Sequence, residues 1–370
     1  MYEYTFPAVA GIQAGRRYYT IMLPLRLLGR LFQPGEAEES DPAKRSQRLL
    51  NKARVPEIAQ YVTDNADSYV FSALTVAVDA DFRFEQIGEH GLGRRLGILH
   101  IPQSARFVIN DGQHRVAAIR EALKSAAHSS LGDESIAVVL FQDIGLKSSQ
   151  QRFADLNRHP VRPAPSITVL YDHREETAAI TRHVSQQIPL LRDLTERERS
   201  TLPRRSSALI TLSALNSANR ALLHDLGDLP LEQRKELAAA YWATIIAQFP
   251  AWEQARQGKL NAAAVRSDFI HASGLVLDAL GRIGNTLIQD TIDPDAWQKT
   301  LAALAKIDWR RRNAELWEGR ATSGGRLTKS HAHVLLTTAA IRHALGMPLP
   351  PDEQWLEENF TARTKRSQAR

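Results

Sequence analysis

The chain has 370 residues, 43% of them hydrophobic and 24% charged, enough apolar material for a sizeable core and enough length for two or three domains. Its formal charge is +6 and its sequence pI about 9.6, a basic bias that fits a nucleic-acid partner without demanding one. There is no cysteine, which excludes disulfides, thiolate metal sites and any thiol chemistry carried by this chain.

The first residues, Met1–Tyr4, lack the charged-then-apolar order of a signal peptide. No apolar run approaches the roughly 18 residues of a membrane span. A cytoplasmic protein without a membrane partner is therefore expected. Tyr18–Pro24 is a strand candidate, closed by Gln33-Pro34-Gly35. Pro42 opens a basic helical segment, Ala43 to Lys52, and a second helix is expected over Val55–Val62, with Pro56 tolerated in its first turn. Strand patterns follow at Tyr69–Phe71 and Leu74–Val78. Leu96–Ile101 and Arg106–Ile109 suggest a hairpin around Pro102–Ala105.

An alanine-rich helical pattern then begins at Val116, with Val116, Ile119, Leu123 and Ala126 on one face. Ile136–Phe141 reads as a buried strand. Strand, helix and strand make a mixed α/β unit over residues 1–172. Residues 173–345 carry helical patterns punctuated by Pro230, Pro250 and Pro294, so an α+β protein is expected, with a largely helical second domain. Residues 346–370 read as a tail, with no regular structure expected at Thr364–Arg370. From Asp308 onward the chain holds most of the net positive charge.

The densest polar chemistry is Asp111-Gly112-Gln113-His114-Arg115, where the strand ending at Ile109 turns into the alanine-rich helix. Such a corner leaves backbone N–H groups unpaired at the helix start, and their aligned dipoles attract anions. Asp111 stands where an N-cap accepts from the N–H of Gln113 or His114. Gly112 permits a tight entry or a close backbone approach. Arg115 can fork onto a phosphate or pair with Asp111 or Glu121. An unperturbed imidazole has a pKa close to neutral, which suits His114 to general acid–base work, though a lone helical histidine is usually an ordinary capping or surface residue.

A second polar cluster spans Arg152–Pro163, where Phe153 and Leu156 point inward and Asp155, Asn157, Arg158 and His159 outward. Asp155 and Asn157 so placed can hold a divalent ion or cap a neighbour. A third set, Arg310, Arg311, Arg312, Arg320, Arg326 and Lys329, alternates with Trp309, Trp317 and Gly324-Gly325, and reads as a DNA-phosphate surface with interleaved aromatics. Arg16-Arg17, Arg94-Arg95 and Arg204-Arg205 are further basic pairs. No metal site is read at His331, His333 or His343, and there is no P-loop or Rossmann glycine pattern.

The pentapeptide Asp111–Arg115 matches the signature of the DGQHR-domain family. Phe153-Ala154-Asp155-Leu156-Asn157, Pro163-x-Pro165-Ser166, the run from Ile307 through Trp309, Asn313 and Trp317 to Arg320, and Gly325–Ser330 resemble its DNA sulfur modification branch, DndB. The resemblance spans roughly residues 1–345. It implies a ParB/sulfiredoxin-like fold for the motif domain, and a DNA-binding regulator or accessory subunit of bacterial DNA phosphorothioation. By the same resemblance, Asp111, Gly112, Gln113, His114 and Arg115 would surround a nucleotide or a DNA phosphate, and Asn157 is expected as a further phosphate-binding residue. Double-stranded DNA and other proteins of that system would be its partners. Sulfur-transfer chemistry does not carry over, because the cysteine of sulfiredoxins is missing. An alternative is an ATP hydrolase coupled to DNA nicking, with Asp111 or Asp155 orienting water or, with Asn157, holding Mg²⁺, His114 moving the proton and Arg115 stabilising phosphoryl charge. A further alternative is a non-catalytic scaffold.

Overall fold

The computed structural model describes residues 2–32, 50–124, 130–142, 151, 155–156 and 163–368, with side chains described as far as residue 362. The chain forms two compact units, Met1–Val161 and Arg162–Arg370. The fold is α+β: a mixed sheet with helices, then a helical unit.

The first unit is built on seven strands: β1 (Glu3–Gln13), β2 (Arg16–Pro24), β3 (Leu74–Asp79), β4 (Arg83–Gln86), β5 (Leu96–Pro102), β6 (Arg106–Asp111) and β7 (Ser135–Gln142). Their order across the sheet is β4-β5-β1-β2-β7-β3-β6. Every pairing is antiparallel except β3 with β7. Alternation along β7 sends Ile136, Val138 and Leu140 to a buried face, joined there by Leu74, Val76 and Val78 of β3. Two helices, α1 (Val55–Asp64) and α2 (Gln113–Ala122), cover that face with Ala59, Val62, Val116, Ile119 and Ala122.

Two sequence expectations are corrected here. β5 and β6 do not form a hairpin: β5 lies between β4 and β1, whereas β6 pairs with β3 at the other end of the order. Yet only Gln103–Ala105 separate them, and four residue steps span at most about 14 Å. The two ends of the sheet are therefore drawn together, so the sheet curls. Tyr69–Phe71 is not a strand; Tyr69 and Tyr61 instead pack against Phe71, with ring centroids 5.5 and 6.0 Å apart. Of the helix expected over Ala43–Lys52, residues 43–49 lie outside the described residues. Of its described end, Leu50 and Asn51 are not helical, and Lys52 opens a 3-10 turn, Lys52–Arg54, capped by Asn51.

The second unit contains α3 (Pro165–Tyr171), α4 (Glu176–Gln187), α5 (Leu212–Leu222), α6 (Leu231–Ala247), α7 (Gly274–Asp290), α8 (His331–Leu345) and α9 (Pro351–Gln368), with shorter helices between them. The stretch from residue 351 to 368, read as tail, is thus a helix. It is tied down by Glu353, which pairs with Arg342 of α8, and by Glu357, which pairs with Arg320. α7 runs through the middle of this unit against α5 and α8. Trp242, Trp252, Trp297 and Trp317 are fully buried in the same core.

The approach of α5 to α7 depends on glycine. A Cβ at Gly281 would stand 2.3 Å from the Ala218 carbonyl oxygen, which is backbone and cannot swing aside. Gly281→Ala should therefore push the helices apart and cost at least about 1 kcal/mol, the lower range for an overpacked core. Urea unfolding followed by tryptophan emission measures this, and an unchanged midpoint would contradict the packing.

Candidate functional site

The corner at residues 111–115 is locally over-determined. β6 ends at Asp111, and the register between β3 and β6 shifts by one just before it: Val76 faces Ile109, but Thr75 faces Asp111. Such a bulge re-aims the strand end. Gly112 then turns the chain at φ +105°, a conformation that side chains disfavour, and a Cβ there would lie 2.4 Å from Leu74 Cδ2. Only glycine fits.

Asp111 does not cap the helix, contrary to the sequence expectation. The N-cap is Gly112, with no side-chain cap. The Asp111 carboxylate accepts instead from Arg115 Nη2 at 2.5 Å. Arg115 Nη1 donates to the carbonyls of Ser72 (2.5 Å) and Ala73 (2.7 Å), so the guanidinium clamps the chain entering β3 onto the corner. The Arg115 side chain is 16% exposed and that of Asp111 45%. Gln113 Nε2 donates to the Ile109 carbonyl at 3.3 Å. His114 Nε2 accepts from the backbone N–H of Asn51 at 3.1 Å, which places the ring proton of the neutral form on Nδ1 and ties α2 to the approach of α1. The corner is part-exposed, and of the sequence-predicted roles for Arg115 the pairing with Asp111 is what the structure holds.

Of the second cluster, Asp155 is exposed and accepts from Gln151 Nε2 at 2.8 Å. Asn157, Arg158 and His159 lie outside the described residues. Among the described residues no three His, Asp or Glu side chains converge as metal ligands, and no helix is long and apolar enough to cross a membrane. Asp111 bonds Arg115, and Asp155 bonds Gln151.

The basic segment after Asp308 separates into distinct roles. Trp309 and Trp317 are not interleaved surface aromatics: both are buried, stacked 5.3 Å apart, their indole N–H groups donating to the carbonyls of Leu304 and Asp308. The N–H groups of Gly324 and Gly325 are taken by the Glu318 carboxylate at 2.5 and 3.2 Å. The Thr322 hydroxyl, and after it these N–H donors, hold Glu318 below the usual carboxylate range. Arg320 grips Glu357 with two nitrogens and lies over the Phe360 ring at 4.3 Å. Lys329 pairs with Asp278 at 3.1 Å. Arg310, Arg312 and Arg326 are exposed, and among the described residues no carboxylate pairs with them.

Sequence reasoning missed the residue that organises this region. Arg266, in the helix Ala262–Asp268, donates to the carbonyls of Pro203, Arg204, Ser206 and Ala208. Burial pulls its guanidinium below its ordinary pKa. The same helix holds the other arginine-rich loop: Arg311 Nη2 donates to the Arg266 carbonyl at 2.9 Å, Arg311 N–H to that of Asp268 at 2.7 Å, and Ile270 N–H to that of Trp309. Arg204 and Arg205, exposed, are therefore fastened to the same short helix as Arg310–Arg312. No local spacing announces this, because the contacts are to backbone.

A family profile described as DndB, DNA-sulfur modification-associated, matches residues 6–348. No curated protein and no solved structure matches the chain.

Proposed function

Since the chain belongs to the DndB family of DNA-sulfur modification-associated proteins, we propose that it is a DNA-binding protein of the phosphorothioation system, acting as a transcriptional regulator or accessory subunit. One observation carries the reading. Two arginine-bearing loops, distant in sequence, are stitched to one helix, so that Arg204, Arg205, Arg310 and Arg312 share a neighbourhood without ion-pair partners among the described residues. Arginines left exposed and unneutralised attract phosphate, and each contact releases counterions from the duplex. Arg326 extends the set. At the 111–115 corner the first-turn N–H groups of α2 offer a subsidiary phosphate contact, Arg115 being engaged elsewhere. Other proteins of the modification system are its natural partners. Hydrolysis of ATP with Mg²⁺ has less support, because its carboxylates are already bonded.

The test is duplex affinity against salt, read by fluorescence anisotropy. The wild type should give a clear negative log–log slope. Replacing Arg310, Arg312 and Arg326 together with alanine should flatten it by about 2 to 3, near 0.9 for each phosphate no longer neutralised. A wild-type slope near zero would remove the DNA-binding reading.

A further inference from the structure

The second unit carries a partly open cavity of about 440 Å³, bounded by the starts of α5 and α7, the loop at 200–202 and the segment reaching Lys329. That volume falls in the range of small-molecule sites, well beyond a single water or ion. One side of it is cationic. Arg266 spends four N–H contacts on backbone carbonyls, and among the described residues no carboxylate neutralises it. Arg311 commits one N–H to a carbonyl, while its Nε is buried with no hydrogen-bond partner among the described residues. Lys329 is countered by Asp278, but Asp278 is itself shared with Arg282 at 3.7 Å. Among the described residues, three cations thus meet at most one shared anion at the wall.

Hydroxyls ring the same space. Thr211 and Ser273 cap α5 and α7 by accepting from Ala214 and Val276, so two helix starts face the cavity, and Ser213 and Ser217 of α5 also line it. Those helix dipoles add to the positive potential. The remaining wall is apolar. Phe269 has one face packed on His271, rings 5.0 Å apart and nearly parallel, and is itself only half-buried beside Ile210 and Leu327. Cations, hydroxyls and a half-buried aromatic ring lining one pocket suit a ligand having a phosphoryl group and a flat body.

We propose that this cavity binds a nucleoside phosphate, with its phosphoryl group between Arg266, Arg311 and Lys329 and its base toward Phe269. The chemistry is the same for a free mononucleotide and for a nucleotide within a DNA strand. The site does not depend on the exposed arginines assigned to duplex binding.

Titration calorimetry of the full chain with dAMP and with inorganic phosphate tests it. dAMP should bind measurably and more tightly than inorganic phosphate. Arg311→Met and Lys329→Gln should each weaken dAMP at least tenfold. Lys329 is about half exposed, so its variant keeps the fold, which tryptophan emission checks. Absence of dAMP binding by the wild type, or equal binding by both variants, overturns the proposal; phosphate binding as tightly as dAMP overturns the nucleoside assignment. Displacement of dAMP by a short single-stranded oligonucleotide assigns the ligand to a strand, and failure to displace assigns it to the free nucleotide pool. A protein that binds dAMP but gives no salt slope with duplex keeps this site and loses the DNA-binding reading.

Discussion

Arg115→Met should loosen the β3–β6 end of the sheet by about 2–4 kcal/mol. Two charge-assisted hydrogen bonds to the Ser72 and Ala73 carbonyls supply most of this, each worth about 1.5–3 kcal/mol and weakened here because Ser72 lies near solvent. The Asp111 ion pair adds little, since its carboxylate is nearly half exposed. Methionine keeps the hydrophobic stem and removes only the donors. Hydrogen exchange at Val76, Ala77 and Ile109 is the direct measurement, with protection expected to fall on the order of 100-fold, since every 1.4 kcal/mol is a factor of ten. Unchanged protection would mean that the clamp is idle and that the guanidinium is available to a ligand. The experiment therefore separates a corner built for packing from a corner built for phosphate.

The second large effect is acid destabilisation of the helical unit through His271. This imidazole is 3% exposed, its Nδ1 accepts from Trp252 Nε1 at 2.8 Å, and burial pushes its pKa down to about 3. In the unfolded chain a histidine titrates near 6.5. Above that pH neither state is protonated at this residue and it contributes nothing to the pH dependence. Below it the unfolded state takes up a proton that the folded state refuses, so stability falls by about 1.4 kcal/mol per pH unit until about pH 3. All six tryptophans lie in the second unit, so their emission reports its unfolding alone. Between pH 7 and pH 5 the wild type should lose about 2 kcal/mol more than His271→Asn, whose amide oxygen can still accept from Trp252. Parallel losses in the two proteins would refute the assignment. Comparing the two proteins cancels the carboxylates that titrate in the same range.

The elements of this chain were more legible than their partners. β2, β3, β6, β7, α1 and α2 follow from alternation or helical spacing with recognisable stops. Strand pairing did not: Leu96–Ile101 and Arg106–Ile109 have the length and spacing of a hairpin, but β1 and β3 supply their partners from far along the chain. Tyr69–Phe71 misled because aromatic residues favour strands and side-chain clusters alike. At the corner, the glycine requirement at Gly112 was readable, whereas the carbonyls that occupy Arg115 belong to Ser72 and Ala73 and leave no trace in side-chain identity. The buried tryptophans at 309 and 317 show the same limit, since a Trp among arginines looks identical whether it faces DNA or a core. The cavity was least visible. Its walls come from residues 200 to 329, and only the helix caps Thr211 and Ser273 carry a local signal.

The sheet order also sets a schedule for synthesis. β7 is the last strand of the first unit to leave the ribosome, yet it sits between β2 and β3 and bonds to both. Until Gln142 has emerged, the nascent chain holds a β4-β5-β1-β2 group and a β3-β6 pair, each with a raw inner edge. This half of the protein is therefore assembled by insertion rather than by growth from one end, and every translating copy passes through an interval in which a chaperone or a neighbouring chain can occupy the slot reserved for its own final strand.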